Sequence, residues 1–348
     1  MKEVEYIEWK IRAEYQKKIF KNRLIKNNKH ISKWARRKGI FAYRVYDKDI
    51  PEVPLLLDIY HCVEGVSFLS ICLYKRPYYV CDEQEKSWLR EMLLVSAEVL
   101  GVESCNVFVK VRERKKGASQ YQKSERASTA RFVVQEGAAK FCINLSDYID
   151  SGLFLDHRPL RLEVASQARG KDVLNLFCYT ASFSVHALLG GALSVCSVDA
   201  SNTAIKWAKE NMRVNKINLD GHCRFERKDV FAFLQEAIAG HNRFDIIICD
   251  PPTFSNSKNR VTVFDVCRDY LQLCILCISL LKEGGVLYFS SNSRTLKFDE
   301  GLLASSVSDK LFIQDISAKT IPEDFRNKRI HKTWKIKKEN SCNKWQNS

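Results

Sequence analysis

The stretch Phe244-Asp245-Ile246-Ile247-Ile248-Cys249-Asp250-Pro251-Pro252-Thr253-Phe254 decides the fold. Its first six residues form a nearly continuous apolar run, the pattern of a strand covered on both faces. The run ends on a carboxylate and two prolines. Proline cannot extend a strand or a helix and restricts the residue before it, so the chain is stiff just beyond the strand. In an open α/β sheet, ligands bind beyond the carboxyl ends of the strands, where strand order reverses. A rigid corner there suits a reaction whose barrier falls mainly through orientation, such as an in-line methyl transfer. Asp250, Pro251 and Pro252 are therefore the candidate catalytic residues.

Around this stretch, strand and helix patterns alternate. Strands are expected at 172–177, 194–199, 223–227, 244–249 and 285–290, and helices at 181–189, 201–214, 230–238 and 264–281. Alternation at this spacing predicts an α/β doubly wound parallel sheet. Leu311-Phe312-Ile313 and Lys332 to Ile336 would add its last strands.

The residues after each strand define the ligand. After the first comes Asn175-Leu176-Phe177-Cys178-Tyr179-Thr180-Ala181, a tight turn into a helix. It lacks G-x-G-x-x-G, so it offers no pyrophosphate cradle. Asn175, Phe177, Tyr179 and Thr180 are candidate ligand contacts, although an ordinary strand-to-helix turn reads the same way. Asp199, ending the second strand, suits a ribose diol, or caps the helix starting near Ser201. Asp229 suits an adenine amino group, with Val230 against the ring; it too would serve as a helix cap. Together these sites describe a nucleoside carrying a small group. S-adenosylmethionine fits; NAD, which needs the missing cradle, does not.

The chain has 348 residues, 45% apolar and 28% charged, the composition of a globular protein of two or three domains. No apolar run is long enough for a membrane span, and the charged N-terminus has no secretion-signal core. Thirteen cysteines scattered through apolar stretches suit reduced thiols and a cytoplasmic location. The pair Cys274 and Cys277 lies in an apolar helix and reads as core; no metal is expected.

The net charge of +15 is concentrated. Residues 1–50 carry +9, residues 110–126 carry +5 and residues 326–344 carry +7, leaving the remainder at −6. Such clustering is the footprint of a polyanion binder. Arg23, Lys33, Arg36, Arg37 and Lys38 in the first segment are candidate phosphate contacts. So are Arg112, Arg114, Lys115 and Lys116 in an exposed loop, and Arg326 and Arg329 near the C-terminus. The expected organisation is a basic helical region over 1–38, a small α+β domain over 39–150, the doubly wound domain over 151–338 and a tail over 339–348. In the first region, Trp9, Ile11, Tyr15, Ile19, Phe20 and Leu24 mark an apolar helix face.

Several segments carry a family resemblance. They are N-R-L-x-K-N at 22–27, K-W-A-R-R-x-G-I at 33–40, R-x-Y-D-x-D-I-P-E at 44–52 and V-R-E-R-K-K-G-x-x-Q-Y-Q-K at 111–123. The others are N-L-S-D-Y-I-D-S-G-L-F-L-D-H-R at 144–158, D-P-P-T-F-S-N-S-K at 250–258, F-D-V-C-R-D at 264–269 and D-F-R-N-K-R-I-H-K-T-W at 324–334. In order and spacing the chain resembles the guanine-N7 methyltransferase half of the bifunctional bacterial 23S ribosomal RNA methyltransferases, from about Phe20 to Trp334. The resemblance implies a class I methyltransferase (Rossmann-like) fold, S-adenosylmethionine as cofactor, and 23S ribosomal RNA or a large-subunit precursor as partner. It also implies that Gly152, Phe154, Asp156 and Arg158 help close the cofactor pocket; Lys258, which ends the 250–258 segment, is a further candidate RNA contact. Two departures stand out: Ala181 where a glycine is usual, and Val53-Pro54 where an aromatic and a polar residue are usual.

The chemistry of the site is consistent with the N7 that the resemblance implies, and leaves methylation of an exocyclic amine open. Cytosine C5 is a poor nucleophile and requires a cysteine thiolate to add to the ring first. The fifth strand ends Phe289-Ser290-Ser291-Asn292-Ser293, without cysteine, and Cys249 lies inside an apolar strand. Guanine N7 has an in-plane lone pair and no proton to remove; it needs only to be held in line, with a carboxylate such as Asp250 favouring the positive charge that develops. RNA hides N7 in a deep groove, so the guanine would be extruded or unpaired. Phe254, Tyr179 and Phe298 are the aromatics available to stack on it. Cytosine-C5 methylation, and an RNA-binding assembly factor that keeps the fold without turnover, remain as alternatives.

Overall fold

A computed structural model describes residues 3–76, 81–112, 131–148, 150–255 and 263–340. Two compact units emerge: Met1–Ser151 with Glu323–Arg326, and Gly152–Pro322 with Asn327–Ser348.

The first unit opens with a single helix, α1 (Glu3–Lys38). Its inward face runs Trp9, Ala13, Gln16, Phe20, Leu24, Ile31 and Trp34, which keeps to 3.6 residues per turn. Ile11 and Tyr15 fall on the opposite side and are 66% and 62% exposed, so the apolar face expected from sequence was drawn around the wrong line. Strands β1 (Ala42–Asp47), β2 (Leu55–His61) and β3 (Ser67–Tyr74) form an antiparallel meander. Helix α2 (Asp82–Leu100) crosses over to β4 (Val107–Arg112), which pairs parallel with β3. Strands β5 (Arg131–Glu136) and β6 (Ala139–Asn144) make a hairpin.

Three of the resemblance segments converge in this unit as one network. Asn27 donates to the Val45 carbonyl and to Asp49, each at 2.9 Å. Arg44 forks onto both oxygens of Asp58, and its guanidinium lies 4.3 Å from the Phe325 ring. The Arg44 backbone N–H donates to Asp324. Val53 is fully buried and its carbonyl accepts from the Tyr46 hydroxyl, so the Val53-Pro54 departure falls in the core.

The second unit begins at α3 (Arg158–Gln167), an element the periodicity reading missed. Then follow β7 (Asp172–Leu176), α4 (Ser182–Leu189), β8 (Ser194–Val198), α5 (Asn202–Val214), β9 (Cys223–Glu226), α6 (Val230–Ala239) and β10 (Phe244–Cys249). A short hairpin of β11 (Phe254–Ser255) and β12 (Phe264–Asp265) precedes α7 (Val266–Ser279) and β13 (Leu281–Ser291). The chain closes with α8 (Glu300–Ser305), β14 (Leu311–Asp315), α9 (Ser317–Thr320) and β15 (Lys332–Lys338). The seven-stranded order is β14-β15-β13-β10-β7-β8-β9. The five strands from β13 to β9 are parallel, with β9 at one edge; β15 and β14 complete the other edge antiparallel. Strand order reverses between β7 and β10, so their carboxyl ends define the crevice where such sheets bind ligands. This is the class I methyltransferase fold expected from sequence. No described helix is long and apolar enough to cross a membrane.

Candidate active site

The turn after β10 is tied down on every side. Ser290 Oγ donates to Asp250 Oδ1. Thr253 Oγ1 donates to Asn292 Oδ1 at 2.8 Å, and the Thr253 carbonyl accepts from the Val266 N–H at 3.1 Å. Phe254 pairs with Asp265 across the hairpin and is 63% exposed. Phe298 is not available for stacking: its ring lies 4.2 Å from that of Trp334, stacked, and packs on Phe289 as well.

The loop after β7 achieves its shape differently. Phe177, Tyr179 and Ala181 all adopt left-handed backbone, with φ of 54°, 49° and 59°. The Tyr179 N–H donates to Asp199 Oδ2 at 2.9 Å, and Asp199 Oδ1 accepts from the Ser201 N–H at 2.8 Å. Ser201, not Asp199, caps α5. Burial pushes the Asp199 carboxyl up from its ordinary value against the pull of those two N–H donors. Thr180 is buried; its hydroxyl donates to the Gly152 carbonyl and its own carbonyl accepts from Asn211. Gly152 has φ of +94° and a Cβ there would meet Trp207 at 2.1 Å, which explains glycine at that position. Asn175 turns into the interior and donates to Ser184 Oγ. Phe177 packs towards Phe264, and the half-exposed Phe154 ring faces that of Tyr179 at 5.4 Å. Asp229 caps α6 through Oδ1, leaving Oδ2 without a partner among the described residues, while Val230 is core.

Sequence reading passed over two histidines. His157 sits between the named Asp156 and the buried Arg158, with Nε2 3.5 Å from Asp250 Oδ2 and 3.9 Å from Asp156 Oδ2. Its ring stacks on His331 at 4.3 Å and 10°. His331 Nδ1 meets Asp156 Oδ2 at 3.0 Å and its Nε2 meets Thr320 Oγ1 at 3.2 Å. Burial lowers the His157 proton affinity, while Asp250 and Asp156 raise it. Asp156, His157 and His331 could each offer one ligand atom to a cation, all within 4.8 Å. Yet each ring's lone pair lies in its own plane, and planes stacked 4.3 Å apart at 10° do not meet within a metal–ligand distance of both rings. The geometry is that of a hydrogen-bonded stack. The only sequence signal was one histidine in each of two distant resemblance segments.

Cysteine positions need one correction. Cys249, Cys274 and Cys277 lie in the core, where burial drives the thiols of Cys249 and Cys274 well above their ordinary range. But α7 brings Cys267 Sγ within 3.3 Å of Ser293 Oγ and 3.4 Å of Thr295 Oγ1, beside the end of β13. A thiol absent from that strand end in sequence is present there in space.

Of the candidate RNA contacts, Lys33, Arg36, Arg37 and Lys38 are exposed on the last turns of α1. Arg23 and Arg326 line one pocket of about 300 Å³ in the first unit, where Arg326 pairs with the fully buried Asp49 carboxylate. Arg329 is exposed in the second unit. Arg114, Lys115, Lys116 and Lys258 lie outside the described residues, as does the side chain of Arg112.

The arrangement offers three carboxylates at successive strand ends, no glycine-rich phosphate cradle and a fixed acid corner. A nucleoside with a cationic sulfonium tail fits this donor set: Asp199 and Asp229 keep acceptor capacity beyond their backbone bonds, and a carboxylate meets positive charge.

A profile of the S-adenosylmethionine-dependent methyltransferase family matches residues 61–313. A protein of Neisseria meningitidis named ribosomal RNA large subunit methyltransferase K is 44% identical over 318 residues, covering 91% of this chain and 86% of that one. A K/L protein of Ectopseudomonas mendocina is 44% identical over 320 residues, but the chain spans only 42% of its length. Among solved structures, a methyltransferase from Streptococcus mutans overlays with a TM-score of 0.69 at 23% identity, covering 92% of this chain and 81% of that one. One from Agrobacterium tumefaciens overlays at 0.57 and 19% identity, covering 82% and 88%. At these identities the structural likeness concerns the fold.

Proposed function

The chain belongs to the S-adenosylmethionine-dependent methyltransferase family, and from that premise we propose that it methylates N7 of an unpaired guanine in 23S ribosomal RNA. The observation that carries the ribosomal RNA methyltransferase part of the reading is the 44% identity to a ribosomal RNA large subunit methyltransferase K across 91% of the chain; the choice of N7 rests on the family resemblance and the chemistry of the base. The site chemistry is consistent with it.

When bound, S-adenosylmethionine supplies an electrophilic methyl group, whose bond to sulfur breaks as the acceptor's lone pair bonds to carbon. Asp199 would accept from the ribose hydroxyls and Asp229, through its remaining oxygen, from the adenine amino group. Thr180 and Asn211 would hold the 177–181 loop around the ligand, and Gly152 and Phe154 would border it. Asp250 would face the base and favour the cation formed on it. Pro251 and Pro252 would keep that carboxylate and the Phe254 ring from drifting. The exposed Arg36, Arg37 and Lys38 would engage phosphates, so that binding falls steeply with salt.

Cys267 gives the cytosine-C5 alternative a thiol, and a single measurement separates the two. Mass spectrometry of 23S ribosomal RNA from cells with and without the gene should find one 7-methylguanosine missing. A missing 5-methylcytidine overturns the choice of atom. Cys267→Ala should methylate within about twofold of the parent, since direct transfer to N7 uses no covalent nucleophile; loss of about 10³-fold would point to the thiol. Charge reversal at Arg36, Arg37 and Lys38 should weaken RNA binding and leave S-adenosylmethionine affinity unchanged.

A further inference from the structure

We propose that His157 is a positioning residue for methyl transfer, holding the Asp250 carboxylate through Nε2 in the orientation that faces the incoming base. This rests on the reading that the 250–254 turn is the reacting corner.

Asp250 emerges from β10 with its side chain 28% exposed. One oxygen, Oδ1, accepts from Ser290. The other, Oδ2, faces His157 Nε2 at 3.5 Å. His157 Nδ1 is buried and has no hydrogen-bond partner among the described residues. Only the tautomer with its proton on Nε2 therefore sets a donor against an acceptor. With Oδ1 bonded to Ser290 and Oδ2 facing the imidazole edge at 3.5 Å, the carboxylate's rotation is restricted from the protein side.

The ring that does this is itself clamped. It stacks on His331, and it packs against Phe183 in a T-shaped arrangement with ring centres 5.9 Å apart. His331 has partners on both nitrogens, Asp156 and Thr320. Orientation thus passes from Asp156 through His331 and His157 to Asp250, three segments far apart in sequence. The charged and titratable groups around His157 are Asp250, Asp156, His331 and Arg161. The two carboxylates favour its protonation, and burial, His331 and Arg161 oppose it. Burial is the largest of these influences, so the ring's proton affinity lies below the ordinary histidine value. When it charges, below the usual histidine range, it pairs with Asp250 and competes with the base for that carboxylate.

Two variants separate positioning from packing. His157→Phe keeps the ring and the stack without the N–H; His157→Gln keeps an N–H donor without the stack. Methyl transfer is measured from labelled S-adenosylmethionine to 23S ribosomal RNA isolated from cells lacking the gene. His157→Phe should lower kcat about 10- to 100-fold with KM for S-adenosylmethionine within about twofold. His157→Gln should return to within about fivefold of the parent and lose the acidic limb of the pH profile. Nitrogen-15 NMR of histidine-labelled protein should find His157 protonated on Nε2. An active His157→Phe beside an inactive Asp250→Asn overturns the inference alone, and so does an Nδ1–H tautomer. An Asp250→Asn variant as active as the parent overturns the reading of the corner, and the inference with it.

Discussion

Two loops at the carboxyl edge of the same sheet, 177–181 and 250–254, reach rigidity by opposite routes. The first is locally strained: three non-glycine residues sit at positive φ, each at a cost of about 1 kcal/mol or more. Its conformation persists because Asp199, Gly152 and Asn211 hold it from outside. The second has no positive φ at any of its residues; two prolines restrict the chain, and Ser290, Asn292 and Val266 then anchor it. The difference teaches that the first loop's shape is borrowed from its neighbours, whereas the second's is written into its covalent structure.

The sharpest test of that contrast removes the first loop's support. Asp199→Asn loses the charge and one of two acceptor oxygens, and should weaken S-adenosylmethionine binding about 10- to 100-fold by calorimetry. The same variant should also lose the parent's decline in stability with rising pH. The folded-state carboxyl is raised, so the parent's folded form holds its proton to higher pH than the unfolded form, and stability falls as pH climbs from the ordinary carboxylate value through the raised one. Melting the two proteins across acid and neutral pH checks this; parallel curves would contradict it. His157 works in the opposite direction: its proton affinity is lowered, so the unfolded state binds protons first and stability falls as pH drops below the usual histidine range.

Relaxing the second loop should cost less. Pro251→Ala with Pro252→Ala frees the unfolded chain, for about 1 kcal/mol of stability, and loosens the corner, for about a 10-fold drop in kcat with cofactor affinity retained. Unchanged kcat would mean that the anchors suffice without the prolines. The smallest effect belongs to Ala181→Gly. Glycine relieves left-handed strain but adds unfolded-state entropy and removes a buried methyl, so stability should stay within about 1 kcal/mol of the parent by chemical denaturation. A loss above about 2 kcal/mol would mean that the methyl is packed as core.

Much of this was readable from residue order. The apolar runs at Phe244–Cys249 and Asp172–Leu176, separated by helical periods, fixed a parallel sheet and put Asp199, Asp229 and Asp250 beyond strand ends. What periodicity could not supply was the inward line of α1, where Gln16 and Asn27 interrupt the apolar pattern yet face inward, hydrogen-bonded to Trp88 and Val45. Nor could it show that Asn175 and Thr180 serve the interior of the 152–180 region as much as any ligand.

Strand and helix identity, and the residues each strand delivers to the crevice, came from the sequence alone, because hydrophobic period and proline chemistry act between near neighbours. The stacking of His157 on His331, the thiol of Cys267 beside Ser293 and the convergence of Asn27, Arg44 and Asp324 were decided only by the tertiary structure. Those contacts join residues as much as about 280 positions apart, where no local preference of the chain carries information about which side chains will meet.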